Sequence, residues 1–305
     1  MSRRASKKVV SSQKRRRASE SLATTRPTIV LVDADTHFGS VLSPVTSFIK
    51  SNGQRETPSK EQQHLADERS RLVDFFVDLK HKKQASLIYV HCGDVVEGIK
   101  HKSKQRISDD PGDQIELAKI FVSPLLDLAD MAIGIRGTEA HDGLGNEYGD
   151  AVFAPWKSKM WRPDGWPHLT VYRALVDIAG LRFDFEHHID MSSRPWTRGG
   201  NIQRRVVSSV YEMLVDKVDV ADYVFRAHTH DGFDTGANPP FPHGVICRPW
   251  KDRGDAFGHR IASVMPTILG SQYVVIEEPG SHYFRWWDCL NEARATWHRV
   301  NWSKR

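Results

Sequence analysis

The sequence predicts a layered α/β fold (α+β layered) behind a disordered basic N-terminal tail, and three observations predict it. Short apolar runs alternate with amphipathic helical stretches from residue 28 onward. Several of those runs end in a cluster of Asp, His and Gly. Residues 1 to 27, by contrast, are dominated by basic and small polar side chains.

In that first segment Arg3, Arg4, Lys7, Lys8, Lys14, Arg15, Arg16, Arg17 and Arg26 stand against Glu20 alone, the composition of a disordered tail. Its surplus of eight positive charges exceeds the formal +5 of the whole chain. Residues 28 to 305 are therefore left near −3, and the pI of about 9.0 describes the tail. Two regions follow: a tail over 1–27 and one folded domain over 28–305. The tail offers charge to nucleic-acid phosphates, and a solvated arm is its plainer role.

Along the domain, residues 28–32 read as a strand, 61–82 as a helix, 86–90 as a strand, 113–127 as a helix and 131–135 as a strand. Residues 168–177 and 181–186 flank Ile178-Ala179-Gly180 as a hairpin. A helix over 201–218 and a short strand over 223–226 follow. Residues 231–263, rich in Gly, Pro, Asp and His, read as a long loop with room for one short helix, and 273–276, 282–287 and 296–302 as strands.

No run of about 18 apolar residues is present, and residues 1 to 27 lack a secretory core, so a soluble, cytoplasmic protein without a membrane partner is expected. Cys92, Cys247 and Cys289 are far apart and without zinc-ribbon spacing, which fits buried thiols in a reducing compartment.

Chemistry concentrates at five strand ends. The first run leads into Asp35-Thr36-His37, the second into Gly93-Asp94, the third into Gly137-Thr138-Glu139-Ala140-His141, the fourth into His187-His188 and the fifth into His228-Thr229-His230. Residues i and i+2 of an extended strand share a face, so Asp35 and His37 leave the sheet together. A carboxylate such as Asp94 has lone pairs in two directions and can bridge two cations. Alternation along 181–187 puts His187 on the face of Phe183 and Phe185. His188 is then expected on the other face, so that only one of the pair serves as a ligand, with His187 preferred. Each fragment alone is common at turns; five in order are not.

In this order the residues resemble the calcineurin-like metallophosphoesterase superfamily, whose pattern runs Asp-x-His, Gly-Asp, Gly-Asn-His-Asp/Glu, His, Gly-His-x-His. The likeness spans residues 28 to 302. It implies a central β-sandwich flanked by helices and two divalent metal ions, manganese first, with iron, zinc or nickel as alternatives. Carried over by position, Asp35, His37 and His230 would hold one ion, Asp94 would bridge, and His187 and His228 would hold the other. His141 would be the catalytic acid, protonating the leaving alkoxide after attack by a hydroxide that bridges the ions.

Two departures stand out. The Asn ligand is missing from 137–141, leaving Glu139 or Thr138 to replace it, and Ala227 takes the place of the glycine before His228. The arginine that follows the bridging aspartate in the serine/threonine protein phosphatases is also absent after Asp94. The implied function is hydrolysis of phosphate esters, read first as a phosphodiesterase or nuclease using the basic tail. A phosphomonoesterase or nucleotide hydrolase on a small substrate is the second reading, and a non-catalytic interaction protein that keeps the fold is the third. Flanking His91, Glu97, Asp142 and Glu186 are candidates to orient the ligands. Trp250, set among basic residues, is a candidate substrate contact.

Overall fold

The computed structural model describes residues 26–99, 105–190, 197–252 and 268–289. Residues 1–25 of the tail expected over 1–27 and the strand expected over 296–302 lie outside the described residues. In chain order the elements are β1 (Thr28–Asp33), β2 (Phe48–Ile49), β3 (Arg55–Glu56), α1 (Lys60–Lys83), β4 (Ser86–Cys92), α2 (Pro111–Leu128), β5 (Met131–Ile135) and α3 (Glu139–Asp142). They continue with α4 (Glu147–Phe153), β6 (Thr170–Val171), β7 (Arg173–Ile178), β8 (Leu181–Glu186), α5 (Arg198–Asp216), β9 (Tyr223–Arg226), β10 (Phe233–Asp234), β11 (His243–Ile246), β12 (Gly270–Glu278) and β13 (Ser281–Asp288).

Two sheets pack face to face. The first has the order β13-β12-β1-β4-β5-β6 and the second β10-β11-β9-β8-β7. Strands β1, β4, β5 and β6 run parallel, as do β8, β9 and β11. Alternation along each strand divides the core. Val30, Val32, Ile88, Val90, Ile133 and Ile135 of the first sheet meet Phe183, Phe185, Tyr223, Phe225 and Val245 of the second. Ile29, Leu31, Leu87 and Tyr89 face the other way, against Leu72 and Phe76 of α1 and Leu117, Val122 and Leu125 of α2. On the far side of the second sheet, Val224 and Ile246 pack on Ile202, Val206 and Met213 of α5. The layers are helices, sheet, sheet, helix, which is the sandwich flanked by helices that the residue pattern implied. Strands covered on both faces read as continuous apolar runs, and β1 and β4 do so.

Local chemistry sets the helix limits. Ser59 and Gln62 close a reciprocal capping box at the start of α1, and Gln84 ends it in the left-handed conformation. Asp110 caps α2, with Pro111 in its first turn.

Two expectations are corrected. The long loop over 231–263 contains β10 and β11, and β11 pairs in parallel with β9 inside the second sheet. Its run His243–Ile246 follows Pro239-Pro240 in a stretch rich in Gly, Pro and Asp, which hid the strand. Trp250 is fully buried and not a surface contact. Its indole N–H donates to Ser271 Oγ, and its ring packs beside Arg69 and Trp287. Cys92, Cys247 and Cys289 are buried and form no disulfide, as the spacing suggested. No helix among the described residues is long and apolar enough to cross a membrane.

Candidate metal centre

Parallel strands deliver their C-terminal ends to one edge, and that edge holds the donors. Asp35 and His37 follow β1, Asp94 follows β4, Thr138 and His141 follow β5, His187 and His188 follow β8, and His228 and His230 follow β9. Backbone hydrogen bonds tie the loops together: Asp35 N–H donates to Gly93 O at 3.1 Å and His37 N–H to Asp94 O at 3.0 Å. The His228 N–H donates across the two sheets to the Asp35 carboxylate at 3.0 Å.

Five of these donors have positive φ: Asp35, His37, Asp94, His228 and His230, between 43° and 74°. Side chains with a Cβ rarely adopt that conformation, and it costs roughly 1–2 kcal/mol per residue. Strain of this kind concentrated in one loop cluster is a mark of a functional site.

Asp94 is the centre of the arrangement. Its Oδ2 lies 3.2 Å from His187 Nε2 and 3.7 Å from His37 Nε2. Its Oδ1 accepts from the Thr138 N–H at 2.6 Å and the Thr138 hydroxyl at 2.9 Å. Four sets of donor atoms lie within 4.8 Å of one another: Asp35, His37 and His230; Asp35, Asp94 and His187; His37, Asp94 and His141; and His187, His188 and His228.

The geometry fits metal binding. His187 donates through Nδ1 to the Cys92 carbonyl at 2.6 Å, which leaves Nε2 as a lone-pair donor. That Nε2 is buried and makes no hydrogen bond, although Asp94 is near. His37 and His230 point their Nε2 atoms at each other, 3.1 Å apart. Electrostatics agree. Burial, with the charge of His141 added, holds His37 well below the usual imidazole pKa, and burial beside His187 takes His228 down to about 4, so both present lone pairs. Burial alone would lower His187, but the Asp94 carboxylate and then Asp35 push it up to about 10. The field at His187 Nε2 thus favours positive charge, which is what a cation would supply. Burial opposes ionisation of Asp94, yet His187 and His141 hold its carboxyl well below the usual range. Asp35 is pushed up to about 7 by burial and the neighbouring Asp94.

Around the donors the flanking residues separate by role. Glu97 reaches His37 Nδ1 at 3.2 Å with its carboxylate, which also pairs with Lys251 at 3.0 Å, and its carbonyl meets His141 Nδ1 at 2.5 Å. Asp142 is buried and accepts from the N–H groups of Asp94, Val95, Val96 and Gly137, fixing the two loops against each other. His91 turns away to Thr36, and Glu186 pairs with Arg205 and Arg226 on the outer face of the second sheet. The part played by Lys251 had no signal in the sequence, because it depends on a contact 154 residues away.

Two site expectations change. Glu139 is exposed in the first turn of α3 and belongs to none of the donor sets. Thr138 is the N-cap of that turn, so its side chain stays at Asp94 while the chain turns Glu139 outward. His187 and His188 do not point to opposite faces. Strand β8 ends at Glu186, alternation ends with it, and both rings face His228, with centroids 5.3 Å and 5.5 Å away.

Gly93 makes this packing feasible. Its φ is +82°, and an added Cβ would fall 2.6 Å from His187 Nδ1 and 2.7 Å from Gly137 Cα. The variant Gly93→Ala is expected to cost about 1–3 kcal/mol in urea unfolding and to displace His187 from the Cys92 carbonyl, weakening metal uptake. Unchanged stability and metal uptake would contradict that account.

No protein-family model and no curated protein matches the chain. Among solved structures, a predicted phosphoesterase from Streptococcus pneumoniae TIGR4 is similar over 86% of this chain and 99% of its own, at 10% identity and a TM-score of 0.33. Vps29 of Entamoeba histolytica, complexed with Zn²⁺, is similar over the same shares at 10% identity and a TM-score of 0.35. A 5′-nucleotidase from Candida albicans is 11% identical, covers 86% of this chain and 52% of its own, and gives a TM-score of 0.40. Likenesses of this extent do not decide activity. The resemblance of this chain to the calcineurin-like metallophosphoesterases is carried by its own residues: five strand ends, in family order, whose donors form overlapping sets at one sheet edge.

Proposed function

We propose that this chain hydrolyses phosphate esters at a centre of two divalent cations, with phosphodiesters, nucleic acid among them, as the substrate class. The observation that carries the reading is Asp94, a buried carboxylate whose one oxygen lies near both His37 Nε2 and His187 Nε2. Asp35, His37 and His230 form the donor set on one side of it, and His187 and His228 on the other. Bound there, two such ions supply Lewis-acid activation of water and neutralise charge on the phosphoryl oxygens.

The chain's own residues do the rest. Asp142 and the Thr138 N–H hold Asp94 in place. The Glu97 carboxylate approaches His37 Nδ1 and its carbonyl meets His141 Nδ1, which orients the His141 ring to move a proton to the leaving alkoxide. The His141 ring stands edge-on to His37, with centroids 4.3 Å apart, which sets it beside the donors. The basic tail, residues 1 to 27, is proposed to hold a polyanion near this edge.

The test is hydrolysis of bis-p-nitrophenyl phosphate and p-nitrophenyl phosphate by metal-stripped protein with manganese added back. Metal-dependent diester cleavage is expected. Replacing His141 with alanine should lower it by about 10²–10⁴-fold without loss of bound metal. Cleavage of the monoester alone would replace the diester reading with that of a small-substrate phosphatase. No cleavage of either would overturn the catalytic reading and favour an interaction protein.

A further inference from the structure

We infer that His188 is a ligand of the second cation, taking the position left by the missing asparagine, so that this ion is held by three imidazoles and a shared carboxylate. The inference rests on the two-cation reading above and concerns one side of that centre. Three observations converge on it.

First, neither residue expected to replace the asparagine is placed to do so in full. Glu139 is exposed and outside every donor set, and the Thr138 N–H and hydroxyl both donate to Asp94 Oδ1. Second, the imidazoles of His187, His188 and His228 form a closed triangle. Their ring centroids are 5.1, 5.3 and 5.5 Å apart, and a nitrogen from each lies within 4.8 Å of the others. Third, His187 Nε2 is buried without a hydrogen bond, with Asp94 Oδ2 at 3.2 Å. Ligands on one tetrahedral zinc ion, about 2.0–2.1 Å from it, lie roughly 3.3 Å from each other.

The two sides of the centre then differ in chemistry and in access. Asp35, His37 and His230 join two imidazoles to a carboxylate, with Asp35 and His37 buried. The other set has three imidazoles, and His188 is exposed, so that side opens to solvent. Imidazole-rich sites suit zinc, nickel or iron, whereas carboxylate and carbonyl oxygens suit magnesium and manganese. The outer ion is therefore of the nitrogen-preferring class and exchanges more readily than the inner one.

Cobalt(II) titration of the full-length, metal-stripped protein, followed by calorimetry and visible absorption, tests this. Wild type should take up two ions. The variant His188→Ala should keep the first unchanged and bind the second at least about tenfold more weakly, with a changed visible spectrum for that ion. In zinc and manganese titrations, His188→Asn should regain the second ion with its preference moved toward manganese. Two ions bound by His188→Ala with wild-type affinity and spectrum would overturn the role of His188 and leave the centre standing. No uptake by wild type would overturn the centre itself, and this inference with it. His188 is exposed, so its variants are expected to fold, which far-UV circular dichroism checks.

Discussion

Replacing Asp94 with alanine is expected to lower metal-dependent phosphoester hydrolysis by on the order of 10³-fold or more, equivalent to about 4 kcal/mol of transition-state stabilisation. The size follows from position. Asp94 sets one carboxylate oxygen 3.2 Å from His187 Nε2 and 3.7 Å from His37 Nε2, so its removal weakens both donor sets at once. It also removes the acceptor for Thr138, which ties the β5 loop to the centre. The variant should bind both ions more weakly, and added manganese should restore little activity. Near-wild-type turnover at saturating manganese would show that Asp94 does not bridge. Asp142→Ala separates this from loop disorder, since that change frees the loop N–H groups while leaving every proposed donor in the chain.

The second large effect is on stability and comes from Asp184. This residue and Arg226 are both fully buried on the outer face of the second sheet, 2.8 Å apart. Arg173 adds a two-point contact to Asp184, at 2.8 Å from each nitrogen. Asp184→Ala leaves the Arg226 guanidinium buried beside too little negative charge and should cost about 3–5 kcal/mol in urea unfolding. Replacing both partners with apolar residues of similar volume should cost far less, because the penalty lies in the orphaned charge. A pH series supplies a second check. Burial opposes ionisation of Asp184, but the hydrogen bonds of Arg173 and the charge of Arg226 hold its pKa below the ordinary 3.8. That contribution is therefore present above pH 3.8 and is lost as pH falls through the lowered value; the variant should lack this part of the acid profile. The network also bears on the centre, since β8 leads to His187 and β9 to His228. A loss under about 1 kcal/mol would show that the pair adds nothing to the sheet.

Long, doubly buried strands and long helices were legible in the sequence. Strands β1, β4, β5, β8 and β9 appear there as apolar runs, and α1, α2 and α5 as amphipathic stretches, close to their limits. The donors at the ends of those five strands were legible for the same reason: an apolar run that stops at Asp or His names the residue that leaves the sheet. Strands β10 and β11, set in a stretch rich in Gly, Pro and Asp, could not be read, and residues 168–177, expected as one strand, divide into β6 of the first sheet and β7 of the second. Trp250 looked exposed because its neighbours Arg248, Lys251 and Asp252 are charged, whereas its burial depends on Ser271 and Arg69, far away in sequence. His188 was assigned to the opposite face from His187 by a strand rule applied two residues past the end of its strand. Glu139 was credited by residue type, and the turn at Thr138 that carries it outward leaves no pattern in the chain.

The most direct test of the central claim is a crystal of the full-length protein grown with manganese and measured at an energy where manganese scatters anomalously. The account predicts two peaks at the strand-end edge, one beside Asp35, His37 and His230 and the other beside His187 and His228, with Asp94 between them. A map with no peak among these residues, or with a single peak that Asp94 does not touch, would contradict it.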